Sequence, residues 1–215
     1  MSAPFIVVTD DQRTPEWHQA RVGMLTGTDA KSMLATIKSG EAAARRDLRT
    51  SLVVERLTGK SAEDGFVSDA MKRGTELEPD AVTAYELATD RMVSPVGFIR
   101  HPELPTGCSL DGQVQNFAGI VEIKCPKSAT HLSYLRGKRL PPDYVPQVTH
   151  NMWISGAQWC DFVSYDSRFP AELQLFIVRV LRSELDMAAY ELAVRLFLSE
   201  VAAEEAEVRG LMVAA

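Results

Sequence analysis

Apolar and polar positions recur along this chain with two periods, and the changes of period fall at prolines and glycines. Thr14-Pro15-Glu16-Trp17 reads as a helix start, with Thr as N-cap, Pro at the first helical position and an acid in the first turn. That helix ends near Val22-Gly23, and Thr26 or Thr28 caps a second short one through Ala35. Residues 39–57, rich in alanine and leucine, predict a third helix that stops at Thr58-Gly59. Ser68 caps the next helical stretch, which reaches about Thr89. Pro79 predicts a break in it near Gly74, because an internal proline removes a hydrogen bond and crowds the preceding turn.

Strand patterns dominate the middle of the chain. Residues 92–100 read as a strand and 101–105 as a Pro-marked turn; two further strands flank a hairpin at 116–119. Ser128 caps a helix to Arg136-Gly137, and a second runs over 143–155 after a Pro-rich loop. Residues 158–166 and 173–181 have strand character, the latter alternating. Ser183, with Asp186 three residues on, starts a long last helix to about Arg209. Its apolar stripe is Leu185, Ala189, Leu192, Leu196 and Val201. With no internal repeat or low-complexity linker, the pattern predicts one α/β domain over residues 1–215, a mixed β-sheet flanked by helices.

Composition narrows this picture. A chain of 215 residues suits a single core. No apolar run approaches the ~18 residues of a membrane span. The early run Phe5-Ile6-Val7-Val8 is too short, and lacks the basic lead-in of a signal peptide. Cys108, Cys125 and Cys160 are odd in number and lack C-x-x-C spacing, which points to free thiols in a reducing cytosol and away from zinc. The net charge of −6 argues at first against a nucleic-acid partner, but residues 184–209 alone hold seven acids against two bases. Residues 124–139 hold five bases (Lys124, Lys127, Arg136, Lys138 and Arg139) and no acid, so local charge allows DNA at one face.

The chemistry concentrates in residues 106–126. Asp111 closes a short run after Cys108, and Glu122 and Lys124 follow in V-E-I-K-C-P. Two residues apart on a strand, Glu122 and Lys124 project from one face. Two acids and a lysine brought together can hold Mg²⁺, which needs few carboxylates and keeps several waters, beside a phosphodiester. The lysine then positions the attacking water and offsets developing charge.

Five blocks spanning Trp17 to Trp153 carry a resemblance: W-H-x-x-R-x-G-x-x-T, R-G-T-E-L-E-P-D-A, C-S-x-D-G, E-I-K-C-P and Y-V-P-Q-V-T-H-N-M-W. In content and order they are similar to the lambda exonuclease (YqaJ-like) family of the PD-(D/E)xK nuclease superfamily. The resemblance implies a restriction-endonuclease-like core and an alkaline-type, double-strand-specific 5′→3′ exonuclease. Such an enzyme acts on one strand of linear double-stranded DNA, releases 5′-mononucleotides and leaves a 3′ single strand. The implied cofactor is Mg²⁺, two per active site, with Mn²⁺ able to substitute. Asp111 bridges both ions, Glu122 and the Ile123 carbonyl hold the first, Glu78 assists the second, and Gln147 orients the site beside Lys124. Arg21, Thr28 and Ser109 map onto the 5′-phosphate pocket. Thr28 departs from the serine of the best-known member but keeps the hydroxyl. Met71 falls where the family puts a wedge that parts the duplex end. A homotrimeric ring, a single-strand annealing recombinase as partner, and a phage or prophage gene expressed in the bacterial cytosol are implied too.

Three rival readings remain open on residues alone. One is an endonuclease of the same fold, disfavoured by the end-binding set Arg21, Thr28 and Ser109. Another is a non-catalytic DNA-end binding protein, disfavoured by the intact Asp111, Glu122 and Lys124. The last is a metal-free enzyme using Cys108 or Cys125, for which no motif supplies a partner histidine. His150 reads as structural, and Arg45, Arg46 and Arg49 read by default as a solvated basic face rather than a DNA surface.

Overall fold

The computed structural model describes residues 4–9, 11–62 and 69–211. From the N-terminus, β1 (Ile6–Thr9) precedes α1 (Pro15–Arg21), a 3-10 turn at Gly27–Asp29, α2 (Ala30–Met33), α3 (Ala43–Thr58) and α4 (Asp69–Thr89). Strands β2 (Phe98–Arg100), β3 (Gly107–Ser109), β4 (Gly112–Val114) and β5 (Gly119–Lys124) follow. After them come α5 (Ser128–Gly137), α6 (Val145–Ser155), β6 (Trp159–Tyr165), β7 (Leu175–Leu181) and α7 (Met187–Leu211). Two sheets form. β1-β2-β3 is antiparallel, and β4-β5-β6-β7 is mixed, with β5 and β6 parallel. A parallel pair needs a crossover, and α5 with α6 supplies it.

Both faces of β5 are covered, which explains its nearly continuous apolar sequence. Val121 and Ile123 pack with Ala81 and Tyr85 of α4. On the opposite face Ile120 joins a larger core with Val148 and Met152 of α6 and Tyr190, Val194 and Phe197 of α7. Strand alternation therefore turns Glu122 toward α6, which is buried from Val148 through Ser155.

Most predicted elements are present, and several boundaries move. α3 begins at Ala43, not near 39, and the strand expected over 92–100 shortens to 98–100. β1 is a strand the pattern did not predict. α4 runs unbroken through Gly74 and Pro79, because Ala81 and Tyr85 are fully buried against the sheet and packing outweighs the missing N–H. Ser68, its predicted cap, lies outside the described residues. Ser128 does not cap α5; its hydroxyl donates to Asp166. The cap of α7 is Asp186, which accepts from the Ala189 N–H at 2.9 Å, rather than Ser183.

The buried face of α7 also differs. Tyr190, Val194, Phe197, Leu198 and Val201 are buried, whereas Leu192 is 70% and Leu196 57% exposed. The helix carries two apolar stripes, and the one with two aromatic rings removes more area from water. The acids of this helix meet α3. Arg45 pairs with Glu200 at 2.6 Å and Arg49 with Glu204 at 2.6 Å. Arg45 and Arg49 therefore form neither a DNA surface nor a solvated face, whereas Arg46 is exposed as expected and pairs with Asp47; much of the acidic surplus is neutralised within the fold.

Candidate active site

Glu122 is buried and fixed from three sides. Its Oε1 accepts from the Lys124 ammonium at 2.5 Å and from Gln147 Nε2 at 2.7 Å, and its Oε2 accepts from Asn151 Nδ2 at 2.9 Å. Gln147 and Asn151 stand one turn apart on α6, so a single helix face grips the carboxylate. Asp111 lies in the junction between β3 and β4, where Gln12 Nε2 donates to the Leu110 carbonyl at 2.7 Å. Asp111 Oδ2 accepts from the Ile123 N–H at 2.6 Å, which draws it to the end of β5 beside Glu122.

The electrostatics follow from this crowding. Burial, and then the nearby Glu122 charge, push the Asp111 carboxyl well above the usual carboxylate range. Burial alone would lower the Lys124 amine, but Glu122 and Asp111 outweigh it and hold the amine above its ordinary range. Lys124 is thus an ammonium at neutral pH.

Glu78 sits on α4 and is ion-paired with Arg13 at 2.6 Å. With Asp111 it lines a cavity of about 310 Å³ walled by Pro79, Val82, Val93 and Pro95. Among the described residues no three His, Cys, Asp or Glu side chains converge to cage a metal. What the site offers is the Asp111–Glu122 pair and a raised proton affinity at Asp111 that a bound cation would relieve. That donor set fits Mg²⁺, which keeps waters and takes one or two carboxylates, better than a metal needing an all-protein cage.

A second cluster borders β3. Ser109 Oγ accepts from Trp17 Nε1 at 2.8 Å and from Arg21 Nη1 at 3.2 Å, while the Arg21 guanidinium lies 4.3 Å from the centre of the Trp17 ring. Thr28 is exposed on the 3-10 turn packed against β3, with its hydroxyl 3.0 Å from that of Thr26. The structure thus unites Asp111, Glu122, Ile123, Lys124 and Gln147, joins Arg21 to Ser109, and sets Glu78 at the neighbouring cavity. The side chain of Met71 lies outside the described residues.

Sequence reasoning missed Arg13, Asn151, the indole of Trp17, and Tyr144, whose ring centre lies 5.5 Å from Lys124 Nζ. Helical spacing held a signal for two of them: Asn151 is four residues from Gln147, and Trp17 four from Arg21. His150 is structural, as expected. It is fully buried, with Nδ1 at 2.7 Å from the Tyr190 hydroxyl and Nε2 at 3.0 Å from the Gly107 carbonyl.

This mixed α/β architecture, two sheets flanked by helices, is that of the lambda-exonuclease-like nucleases. The chain belongs to the family described as the YqaJ-like viral recombinase domain, which matches residues 16–158. It is similar to the crystal structure of LHK-Exo, an alkaline exonuclease from Laribacter hongkongensis, with 37% identity over 94% of this chain and 99% of that one, and a TM-score of 0.85. The complex of LHK-Exo with dAMP aligns equally well, at 37% identity and a TM-score of 0.85 over 94% of this chain and all of that one. A phage-related exonuclease from Haemophilus somnus 129PT shares the fold at a TM-score of 0.65, with 14% identity over 88% of this chain and 96% of that one. Among curated proteins none matches the chain.

Proposed function

We propose that the protein is a Mg²⁺-dependent exonuclease that digests one strand of linear double-stranded DNA from its 5′ end. It would release 5′-mononucleotides and leave 3′ overhangs for single-strand annealing recombination. The observation that carries this reading is the meeting of Asp111, Glu122 and Lys124 at the end of β5, with Gln147 on Glu122. The likeness to an alkaline exonuclease over nearly the whole chain supports it, as does the 5′-mononucleotide dAMP in the LHK-Exo complex.

Asp111, Glu122 and the Ile123 carbonyl would hold a first Mg²⁺, and Asp111 with Glu78 a second; Mn²⁺ would substitute. When bound, such ions stabilise the entering and leaving oxygens of an in-line displacement. The Lys124 ammonium holds the attacking water and offsets charge that grows on the phosphoryl oxygens. Gln147 keeps Glu122 aimed at the reacting centre. Arg21, Ser109 and Thr28 would receive the terminal 5′ phosphate, Arg21 with a guanidinium fork suited to it, and so set the direction of digestion. Met71 would act as the wedge. Lys127, Arg136, Lys138 and Arg139 are exposed and make no ion pair among the described residues, which suits a phosphate backbone approaching along α5.

The same reading includes a homotrimer around the DNA, a single-strand annealing recombinase that receives the 3′ strand, and action in the bacterial cytosol from a phage or prophage gene. Among the described residues no helix is long and apolar enough to cross a membrane.

The test is a linear duplex carrying a 5′ phosphate on one strand only, incubated with Mg²⁺ or EDTA. Loss of the phosphorylated strand to mononucleotides with Mg²⁺, but neither with EDTA nor with Lys124→Ala, is the expected result. Intact strands on a duplex that is nevertheless bound would replace the nuclease with an end-binding protein. Cutting of closed circular DNA would make it an endonuclease.

A further inference from the structure

We propose that Asn151 and Gly27 form a positioning pair that fixes the second oxygen of Glu122 and ties it to the turn that carries Thr28. This inference rests on the nuclease reading, in which Glu122 holds a metal ion. Neither residue touches the reacting atoms; both act through Glu122.

Glu122 Oε1 has two donors, Lys124 and Gln147, whereas Oε2 accepts from Asn151. Asn151 is therefore the donor that holds Oε2, and with the two donors on Oε1 it fixes the plane of the carboxylate. That amide is itself in an unusual position. Asn151 is 2% exposed, and its Oδ1 is buried with no hydrogen-bond partner. A buried amide oxygen without a donor is unfavourable, so an unconstrained side chain would turn to satisfy it. Flipping the amide in place would aim Oδ1 at the Glu122 carboxylate, oxygen against oxygen.

Gly27 is what blocks the remaining escape. A Cβ built there would lie 2.4 Å from Asn151 Oδ1 and 3.6 Å from Gln147 Cγ. The glycine backbone thus forms a wall flush against the Asn151 amide. Gly27 is absent from the glycines with positive φ, so it is required for space and not for a left-handed conformation. It opens the 3-10 turn Gly27–Asp29, whose next residue is Thr28, and that turn packs on α6 and β3. One contact accordingly joins the acid end of the site to the phosphate end. Any side chain at position 27 would push Asn151 off Oε2 and leave that oxygen without its donor.

The experiment titrates Mn²⁺ by calorimetry into the full-length wild type, Asn151→Ala, Gly27→Ala and the double variant, and measures kcat and KM on linear duplex. Loss of a hydrogen bond to a metal-binding carboxylate typically weakens metal affinity about 10- to 100-fold. Asn151→Ala and Gly27→Ala should each show such a loss, with kcat reduced at low Mn²⁺ and KM for DNA unchanged. The double variant should bind as Asn151→Ala does, because the alanine at 151 leaves the new methyl room. Wild-type affinity in Gly27→Ala, or a double variant that combines the two losses in full, would overturn the pairing.

If a variant fails to fold, the side-chain amide signals of Asn151 in the NMR spectrum of the wild type decide. They should shift when Mg²⁺ is added, and signals that stay fixed at saturating Mg²⁺ overturn the proposal. A wild type that binds no Mn²⁺ defeats the nuclease reading itself; a wild type that binds, with variants that bind equally, defeats only this inference.

Discussion

His150 gives the fold a built-in sensitivity to acid. Burial holds its imidazole down to about 4 from an ordinary 6.5, with the hydrogen bond to the Gly107 carbonyl only partly opposing this. The neighbouring groups reinforce the neutral form. The Tyr190 hydroxyl donates to Nδ1, Nε2–H donates to Gly107, and the Thr106 hydroxyl is 3.4 Å away. Protonation would add a hydrogen to Nδ1 where a donor already points. Between pH 6.5 and 4 the unfolded chain binds a proton that the folded chain refuses, so stability rises with pH through that window and is level above it. At ~1.4 kcal/mol per pH unit the full effect is about 3 kcal/mol, of which about 2 kcal/mol is already lost at pH 5. The comparison is with His150→Gln, which keeps a donor and an acceptor but does not titrate. Urea unfolding from pH 8 to pH 5 should show the wild type losing about 2 kcal/mol more than the variant. Parallel pH profiles, or an NMR titration of His150 with a midpoint above pH 6, would refute the reasoning.

Three further outcomes test other parts of the structure. The Tyr85 hydroxyl donates to the buried Asp161 at 2.7 Å, and Arg179 donates to both oxygens of the same carboxylate at 2.7 Å. Tyr85→Phe should cost about 1.5 kcal/mol in urea unfolding, and much less in an Asp161→Asn background; additivity would show that this network does not hold α4 to the sheet. A Cβ at Gly119 would lie 2.1 Å from the Trp159 indole, so Gly119→Ala should lose about 2 kcal/mol or more, and an unchanged melting temperature would contradict the close packing of β5 on β6. Trp17→Phe keeps a ring under Arg21 but removes the donor to Ser109, so KM for 5′-phosphorylated ends should rise about 5-fold with KM for 5′-hydroxyl ends unchanged. An equal rise for both ends would detach Trp17 from phosphate binding.

Much of the candidate set was legible from the family's sequence blocks, and the part that lies on a strand and a helix also from periodicity. Strand alternation put Glu122 and Lys124 on one face, and Y-V-P-Q-V placed Gln147 in the first turns of a helix that forms as expected. What the sequence could not show is distance between elements. Arg13 meets Glu78 across 65 residues and Trp17 meets Ser109 across 92, contacts that no local pattern encodes. The misjudged face of α7 has a similar origin. The helix carries two apolar stripes, and the one with the larger aromatic side chains, Tyr190 and Phe197, is the one the core buries. Likewise, Pro79 obeyed a local rule that tertiary burial of Ala81 and Tyr85 overrides.

The site depends most on α6. It carries Gln147 and the buried Asn151 to the two oxygens of Glu122, and His150, between them, to Gly107 and Tyr190. At its far end Arg182 donates to the Met152 carbonyl at 2.6 Å, and Gly156 ends the helix in the left-handed conformation. A helix held by polar bonds on several sides cannot slide to relieve strain on one of them, because every alternative position leaves a buried group unpaired. That rigidity suits a site in which an acid must keep its aim while the charge beside it changes. It also couples stability to chemistry: charging His150 loosens the same helix that orients Glu122. If the site binds Mg²⁺ as proposed, calorimetry at falling pH should show that binding weakening before urea unfolding shows the sheet destabilised.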